Sequence, residues 1–421
     1  MTNNVLIQLQ GIIERSLRGV AKLSKSFRKF FIETMVLYTT MTTRINYTSM
    51  ARCGKSSEGR FRSNFRKPFD WLGYNLKFIP EDAKGHLTAI AIDPSYISKS
   101  GKKTPGLSYF WSGCAQAAKR GLEILGIAFI DATEHTATHL KAVQTIKGRK
   151  RKGRIPKWVE EFDKRDSLTV NYLYAIYDIL GEIRKLTHTV VADAYFANGP
   201  FANAIRGFGL HLVSRLHDNV CMRYLYEGEQ KKVGRKKMYD GKVDINNLRP
   251  DVFHVEIGYD SEGRPVTLYV GEVWVNCLDM KVKVVVADLS EPGKKTQVRK
   301  IFFSTDTSLS GAEIFLIYRS RFLIEFLYRD GKNFTGLTHC QARSEEALDF
   351  SFNASLSSLN LMRQFARENG YGSLSNGSIK TMLHNAYFIE MIFSRFGKSA
   401  NLKLIDTDFK ELVLFGVRDA C

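Results

Sequence analysis

Four side chains able to grip or attack a phosphate recur at helical spacing in Ile317 to Lys332, IYRSRFLIEFLYRDGK. Tyr318, Arg321, Glu325 and Lys332 follow one another at intervals of three, four and seven residues. At about 100° per residue they share an arc of roughly 60°, so a phenol, a guanidinium, a carboxylate and an ammonium lie on one seam. Phe315, Phe322, Leu323, Ile324, Phe326 and Leu327 fill the rest of the circumference, which predicts a helix buried on several sides. Such a seam is either a structural ion-pair row, with Arg321 and Glu325 at i,i+4, or part of a site. Gly331 is expected to fray the helix beside Lys332.

Two further carboxylates complete a possible centre. Asp93 closes the apolar run LTAIAID and Asp193 closes TVVAD, both expected strands. An acid at a strand end is, taken singly, a turn or cap residue. With Glu325, however, two strand-borne aspartates and a helix-borne glutamate form a hard-oxygen donor set suited to a pair of Mg²⁺ ions, with Mn²⁺ as a substitute. A metal pair of this kind serves in-line phosphoryl displacement.

The elements that must position these residues alternate in type. Helical spacing covers residues 3–40, and two short helices, Asn46 to Arg52 and Ser57 to Lys67, flank Gly54. They read as a helix-turn-helix presenting Arg60, Arg62 and Arg66 to DNA, or as a plain helical bundle. Strands are expected at Leu87 to Asp93, Leu107 to Cys114, Glu123 to Asp131, Thr189 to Asp193 and His211 to Arg215. Between them come one long helix, Leu168 to Leu186, and a shorter one, Pro200 to Arg206. Residues 217–308 read as a strand-rich insertion containing VFHVEIGY, VTLYVGEVWV and MKVKVVVAD, with turns at Ser261 to Gly263 and Glu291 to Gly293. Helices are expected again at Ser344 to Glu368 and Lys380 to Phe396. The expected organisation is a helical, basic DNA-binding domain at 1–80, an α/β core at 85–216 and 309–370, a β-rich insertion at 217–308, and a helical segment at 371–421.

The charge points to a polyanionic partner. Lys and Arg number 62 against 43 Asp and Glu, a net +19, and nucleic acid is the leading polyanion. More than half of that excess lies in the first 80 residues, with fourteen basic residues against four acidic ones. Two further runs, KGRKRKGRIPK with Lys150 and Arg151, and KKVGRKK with Arg235 and Lys236, are either solvated loops or phosphate contacts. The six cysteines are scattered without a C-x-x-C pair, which argues against a zinc ribbon or a disulfide framework and for a reducing compartment. No apolar run approaches a membrane span and no leader pattern opens the chain, so a soluble, cytoplasmic protein with no membrane partner is expected.

Taken in order, Asp93 in AIDPSYISKSGKKTPG, Asp193 in VVADAYFANGPFANAI with LVSRL behind it, and Tyr318-x2-Arg321-x3-Glu325-x6-Lys332 resemble the DDE transposases of the insertion-sequence-4 family. The resemblance spans roughly residues 85–370. It implies an RNase H-like mixed-sheet core interrupted by a β-rich insertion before the glutamate, and cut-and-paste transposition. Asp93, Asp193 and Glu325 would then be the catalytic metal ligands. Tyr318, Arg321 and Lys332, with Arg215 in the LVSRL strand, would contact DNA at the transposon end. The family likeness also implies a hairpin at the transposon end, with Trp274 stacking a flipped base, although a strand tryptophan is equally a core residue. Partners implied are double-stranded DNA, as terminal inverted repeats and target, and a second copy of the chain on paired ends. In a bacterial host the likeness also implies association with the nucleoid. Two other readings remain: a transposase-derived protein that binds DNA without cutting it, and an RNase H-like nuclease without strand transfer.

Other motifs lack support. His135 and His139 stand at i,i+4 but have no further ligands nearby, and no Walker A, G-x-G-x-x-G or G-x-S-x-G sequence occurs.

Overall fold

A computed structural model of the chain describes residues 5–18, 20, 23–149, 167–289, 298–395 and 411–418. The chain opens with helices α1 (Val5–Ser16), α2 (Lys25–Thr40), α3 (Tyr47–Cys53), α4 (Glu58–Asn64) and α5 (Trp71–Asn75). Strands β1 (Thr88–Ser98), β2 (Ser108–Ser112), β3 (Ala117–Asp131) and β4 (Thr136–Gln144) follow. Then come α6 (Ser167–Tyr177), α7 (Leu180–Leu186), β5 (Thr189–Val191), α8 (Gly199–Gly207) and β6 (His211–Leu216). Strands β7 (Met222–Leu225), β8 (Tyr239–Lys242), β9 (His254–Tyr259), β10 (Pro265–Val275), β11 (Met280–Asp288) and β12 (Arg299–Ser304) lead to α9 (Gly311–Ser320), α10 (Leu323–Asn333), α11 (Glu345–Glu368) and α12 (Asn376–Arg395).

Strand β1 is the centre of the site-bearing half of the sheet. Its run AIAI is buried on both faces, as expected of an interior strand. It pairs antiparallel with β3 and parallel with β5, while β5 pairs parallel with β6 and β3 antiparallel with β4. This β4-β3-β1-β5-β6 order is the RNase H-like arrangement. The strand-rich region between Asp193 and Glu325 continues the same sheet, since β12 pairs with β6 and leads through β11 and β10 to β7 and β8.

Each face of the sheet carries its own hydrophobic core. Ile90 and Ile92 of β1 pack with α6, α7 and α8 on one face, whereas Ala89, Ala91 and Ile97 belong to the core formed with α1, α2 and α9 to α12. Because strand side chains alternate, Asp93 and Ser95 share the second face. The N-terminal helices are anchored there by aromatic packing, with Phe65 and Trp71 against Phe350 of α11 at ring-centroid distances of 4.3 and 5.0 Å.

Helix α11 also closes the sheet edge at β4. The Asn353 amide meets the Ala142 N–H and carbonyl at 2.8 and 3.0 Å, and Asn360 does the same for His139 at 2.9 and 2.8 Å. Seven residues of helix and three of strand both advance about 10 Å, so the two amides fall in register with the edge they cover.

Several expectations are revised. The strand expected to stop at Asp93 runs on through Pro94 to Ser98 in register with β3, since one proline removes only one ladder donor. The strand expected to end at Asp193 stops at Val191. The helix expected over 168–186 is two, parted where Ile179 leaves helical geometry at φ −120°. Strands β4, β7, β8 and β12 were not anticipated. His139 lies on β4 and not on a helix, so its spacing from His135 places no metal pair. The expected turn at Glu291 to Gly293 lies outside the described residues. Among the described residues no helix is long and apolar enough to cross a membrane, and Cys53, Cys114, Cys221, Cys277 and Cys340 are free thiols.

Candidate active site

The seam expected on a single helix is distributed over two. Helix α9 begins with a capping box between Ser310 and Glu313 and ends at Ser320; α10 begins at Leu323. At the junction the ladder tightens to i→i−3, with Phe322 N–H on the Arg319 carbonyl at 3.2 Å and Glu325 N–H on the Phe322 carbonyl at 3.0 Å. Both junction residues keep right-handed helical angles, so Tyr318, Arg321 and Glu325 still face the sheet together. Phe322 and Phe326 are exposed, which corrects the expectation of a helix buried on several sides. Gly331 does not fray α10. It is buried in a helix that continues to Asn333, and a Cβ there would come within 3.0 Å of Leu356, so the missing side chain lets α10 and α11 approach.

Arg321 is the hub of the site. Its guanidinium donates to Glu325 Oε1 at 2.8 Å and lies 3.9 Å from Asp93 Oδ1, and it is only 12% exposed. Burial works against its charge, yet Tyr318, Asp93 and Glu325 around it outweigh that and hold its pKa above the usual value. Asp93 is pushed up to about 8, chiefly by burial, with Arg321 pulling it down and the negative charges of Asp193 and Glu325 pushing it further up. Burial also raises Asp193, opposed by Arg321 and by the Tyr195 N–H that its Oδ1 accepts at 3.0 Å, while Glu325 adds to the rise. The three carboxylates therefore sense one another electrostatically, and Arg321 supplies the positive charge among them.

The surrounding cations occupy the same face. Lys332 donates to Ser95 Oγ at 3.2 Å. Its pKa is lowered by burial and partly restored by Cys114 and Asp93. Tyr318 packs on Phe302 at 4.8 Å, and burial raises its phenol against the opposing charges of Arg321 and Arg215. Arg215 on β6 pairs in register with Phe302 and reaches Asp218 at 3.2 Å.

Tyr328 is a residue that the sequence reading missed. Its hydroxyl accepts from the Gly126 N–H at 2.8 Å and donates to the Asp93 carbonyl at 2.5 Å, bridging β1 and β3 at Asp93. Gly126 stands opposite Asp93 in the ladder. A Cβ on Gly126 would lie 2.2 Å from that hydroxyl. A glycine inside an otherwise β-branched strand, EILGIAFID, was the available signal of a close approach.

The remaining candidates lie apart. Trp274 is half-buried on β10, opposite Arg223 and Lys281, with the Tyr239 ring at 5.8 Å and the Arg223 guanidinium 4.9 Å from the centre of that ring. Val270, with the same strand parity, belongs to the core on the Asp93 face of the sheet, so Trp274 is on that face. The two expected short helices form as α3 and α4, capped by Asn46 and Ser57, with α4 ending at Asn64 and not Lys67. Arg60 donates to Ser26, Arg62 is held by Glu58 at 2.5 Å, and Arg66 is exposed. Arg235 and Lys236 are exposed between β7 and β8. Lys150 and Arg151 lie outside the described residues.

The hard carboxylate oxygens of Asp93, Asp193 and Glu325 fit a divalent cation in chemistry, and their mutual repulsion fits a site that gains by taking one. As arranged, with Arg321 among them, no three such side chains among the described residues are grouped closely enough to hold an ion.

The family model described as a transposase DDE domain matches residues 124–361. The chain belongs to that family. No curated protein matches. Among solved structures, the chain is similar to one described as a piggyBac transposase synaptic complex with hairpin DNA. The identity is 13%, with 98% of this chain and 77% of that one covered, at a TM-score of 0.40.

Proposed function

We propose that this member of the family is a cut-and-paste DNA transposase that cleaves at terminal inverted repeats and joins the freed ends to target DNA. What chiefly supports the reading is the packing of Asp93 and Glu325 against one buried guanidinium, with Asp193 within its electrostatic reach, in a chain of the transposase DDE domain family. The three carboxylates would hold two Mg²⁺ ions, which when bound lower the barrier to in-line displacement at phosphorus by neutralising the attacking and leaving oxygens.

The chain's own groups do the rest. Tyr328 fixes α10 on β1, so that Glu325 stays opposite Asp93. Arg321 balances the acids and presents a planar guanidinium that can grip a phosphate. Lys332, beside Ser95, places a point charge on the strand next to the cut. In the first displacement water attacks the scissile phosphodiester and the 3′ oxygen leaves. In the second the freed 3′ hydroxyl attacks a phosphodiester of the opposite strand, whose 3′ oxygen leaves with the flanking DNA as a hairpin closes; water then reopens the hairpin by displacing that 3′ hydroxyl again, and in the last the 3′ hydroxyl attacks a target phosphodiester and displaces its 3′ oxygen. Trp274, with Tyr239 and Arg223 around it, would stack an unpaired base at the hairpin. Two copies would act on paired ends.

The test uses purified protein, Mg²⁺, and a precleaved duplex made from the DNA that flanks the gene. Joining of that end to a target plasmid is expected. Hydrolysis without joining would leave an RNase H-like nuclease, and binding with neither reaction would leave a DNA-binding protein.

A further inference from the structure

Beyond the face that carries Asp93, a cavity lined from several elements lies at the far end of β1. A cleft of about 870 Å³ is lined by Arg44, Arg62 and Arg66 from the α3–α4 region, by Lys99, Lys102 and Lys103 from the loop after β1, and by Arg343 before α11. No carboxylate is among its described lining residues. Three stretches far apart in the chain thus deliver seven cations to one opening. Arg44, Arg66, Lys102, Lys103 and Arg343 are exposed.

Lys99 shows that these charges are close enough to work against each other. Its ammonium donates to the Cys340 carbonyl at 2.5 Å. Its pKa is lowered first by burial and then by the charges of Arg343 and Arg44. An open cluster of mutually repelling cations is stabilised by an anion that spans it, and an extended polyanion does so with several charges at once.

The position of the cleft selects the polyanion. Strand β1 carries Asp93 at one point, Ser95 with Lys332 two residues on, and Ser98 at the rim of the cleft. From Asp93 to Ser98 the strand covers roughly 16 Å, the length of about five nucleotides of duplex. We propose that the cleft holds the sugar–phosphate backbone of the substrate DNA about half a helical turn from the cut, so that β1 is the ruler between chemistry and grip. This rests on the transposase reading.

The experiment measures binding of the full-length protein to a labelled duplex across a salt series without divalent ions, for wild type and for the triple variant Lys102→Ala, Lys103→Ala, Arg343→Ala. A parallel arm titrates inorganic tripolyphosphate. The triple variant is expected to lower the slope of log K against log salt by about 2 to 3 and to bind DNA at least tenfold more weakly at fixed salt. Should it fail to fold, Lys102→Ala and Arg343→Ala alone, both at exposed positions, are each expected to lower the slope by about 1. Unchanged slope and affinity for DNA overturn the assignment. So does a variant that loses tripolyphosphate but not DNA, since the cleft would then take a small anion. The two readings fail separately. Wild type that cleaves DNA alongside a variant with unaltered binding removes the cleft and leaves the transposase. A variant that loses DNA affinity in a protein that never cleaves keeps the cleft and removes the activity.

Discussion

Arg321 and Asp93 set the electrostatics of the site between them. The folded-state pKa of Asp93, pushed up to about 8 by burial and by its acidic neighbours, lies far above the ~3.9 of an unfolded chain. Between those values the folded protein keeps a proton that the unfolded chain has released, so stability falls as pH rises through that window. In chelator-treated protein, Asp93→Asn is therefore expected to flatten the decline of stability between about pH 4 and pH 8, as read by denaturant titration. Identical slopes for variant and wild type would remove this account of Asp93. Mg²⁺ is expected to raise the melting temperature of the wild type, and the same substitution to abolish that rise, since the proposed site would lose a ligand. Tyr328 acts one step further out. Tyr328→Phe leaves the Gly126 N–H and the Asp93 carbonyl without their shared partner, costing about 1–3 kcal/mol of stability. It is also expected to cost roughly 10- to 100-fold in metal affinity, whereas a purely structural role would leave metal affinity unmoved.

At the level of elements, the site depends on how closely α10 lies against its neighbours. Gly126 on β3, against Tyr328, and Gly331 within α10, against Leu356, are points where α10 comes close to β3 and to α11 respectively. Gly126→Ala sets a methyl 2.2 Å from the Tyr328 hydroxyl and is expected to push α10 outward, lowering cleavage more than stability. Gly331→Val overpacks the α10–α11 contact and is expected to cost about 1–3 kcal/mol in denaturant titration. Gly331 was not legible as a contact, because a missing side chain leaves no periodic signal in a helix, whereas Gly126 inside EILGIAFID signalled a close approach without naming its partner. The candidate residues were legible, since Asp93, Asp193 and the Tyr318–Lys332 spacing stand in the sequence whatever the helix boundaries do. The break at Arg321–Phe322 was not, because tightening one turn leaves the hydrophobic period intact. Strand β4 was missed for a related reason: its polar text, TATHLKAVQ, becomes an edge strand only once Asn353 and Asn360, more than two hundred residues later, cover its open side.

Across the whole molecule, α12 packs against α2, which lies more than three hundred residues earlier in the chain. Helix α12 meets α2 through Lys380, whose buried ammonium donates to the Tyr38 carbonyl at 2.9 Å, and through His384 on the Thr40 carbonyl. Burial lowers Lys380 to about 7, so between that value and the ~10.4 of an unfolded lysine the unfolded chain binds the extra proton and stability rises with pH. Lys380→Met is expected to remove that rise and to stabilise the protein most below pH 7, measured against wild type by thermal melting. The net charge of +19 was readable as affinity for a polyanion, but the cleft that gathers part of it was not, because its three segments meet only in the fold. The central claim is that Asp93, Asp193 and Glu325 together hold the metal ions that cut DNA. It is tested most directly by Mg²⁺-dependent cleavage of a duplex carrying the DNA that flanks the gene, comparing wild type with Asp93→Asn, Asp193→Asn and Glu325→Gln. Each variant is expected to bind the duplex and to lose cleavage by more than the roughly 100-fold that an outer-shell loss can cost; a variant that cleaves as fast as wild type contradicts the account.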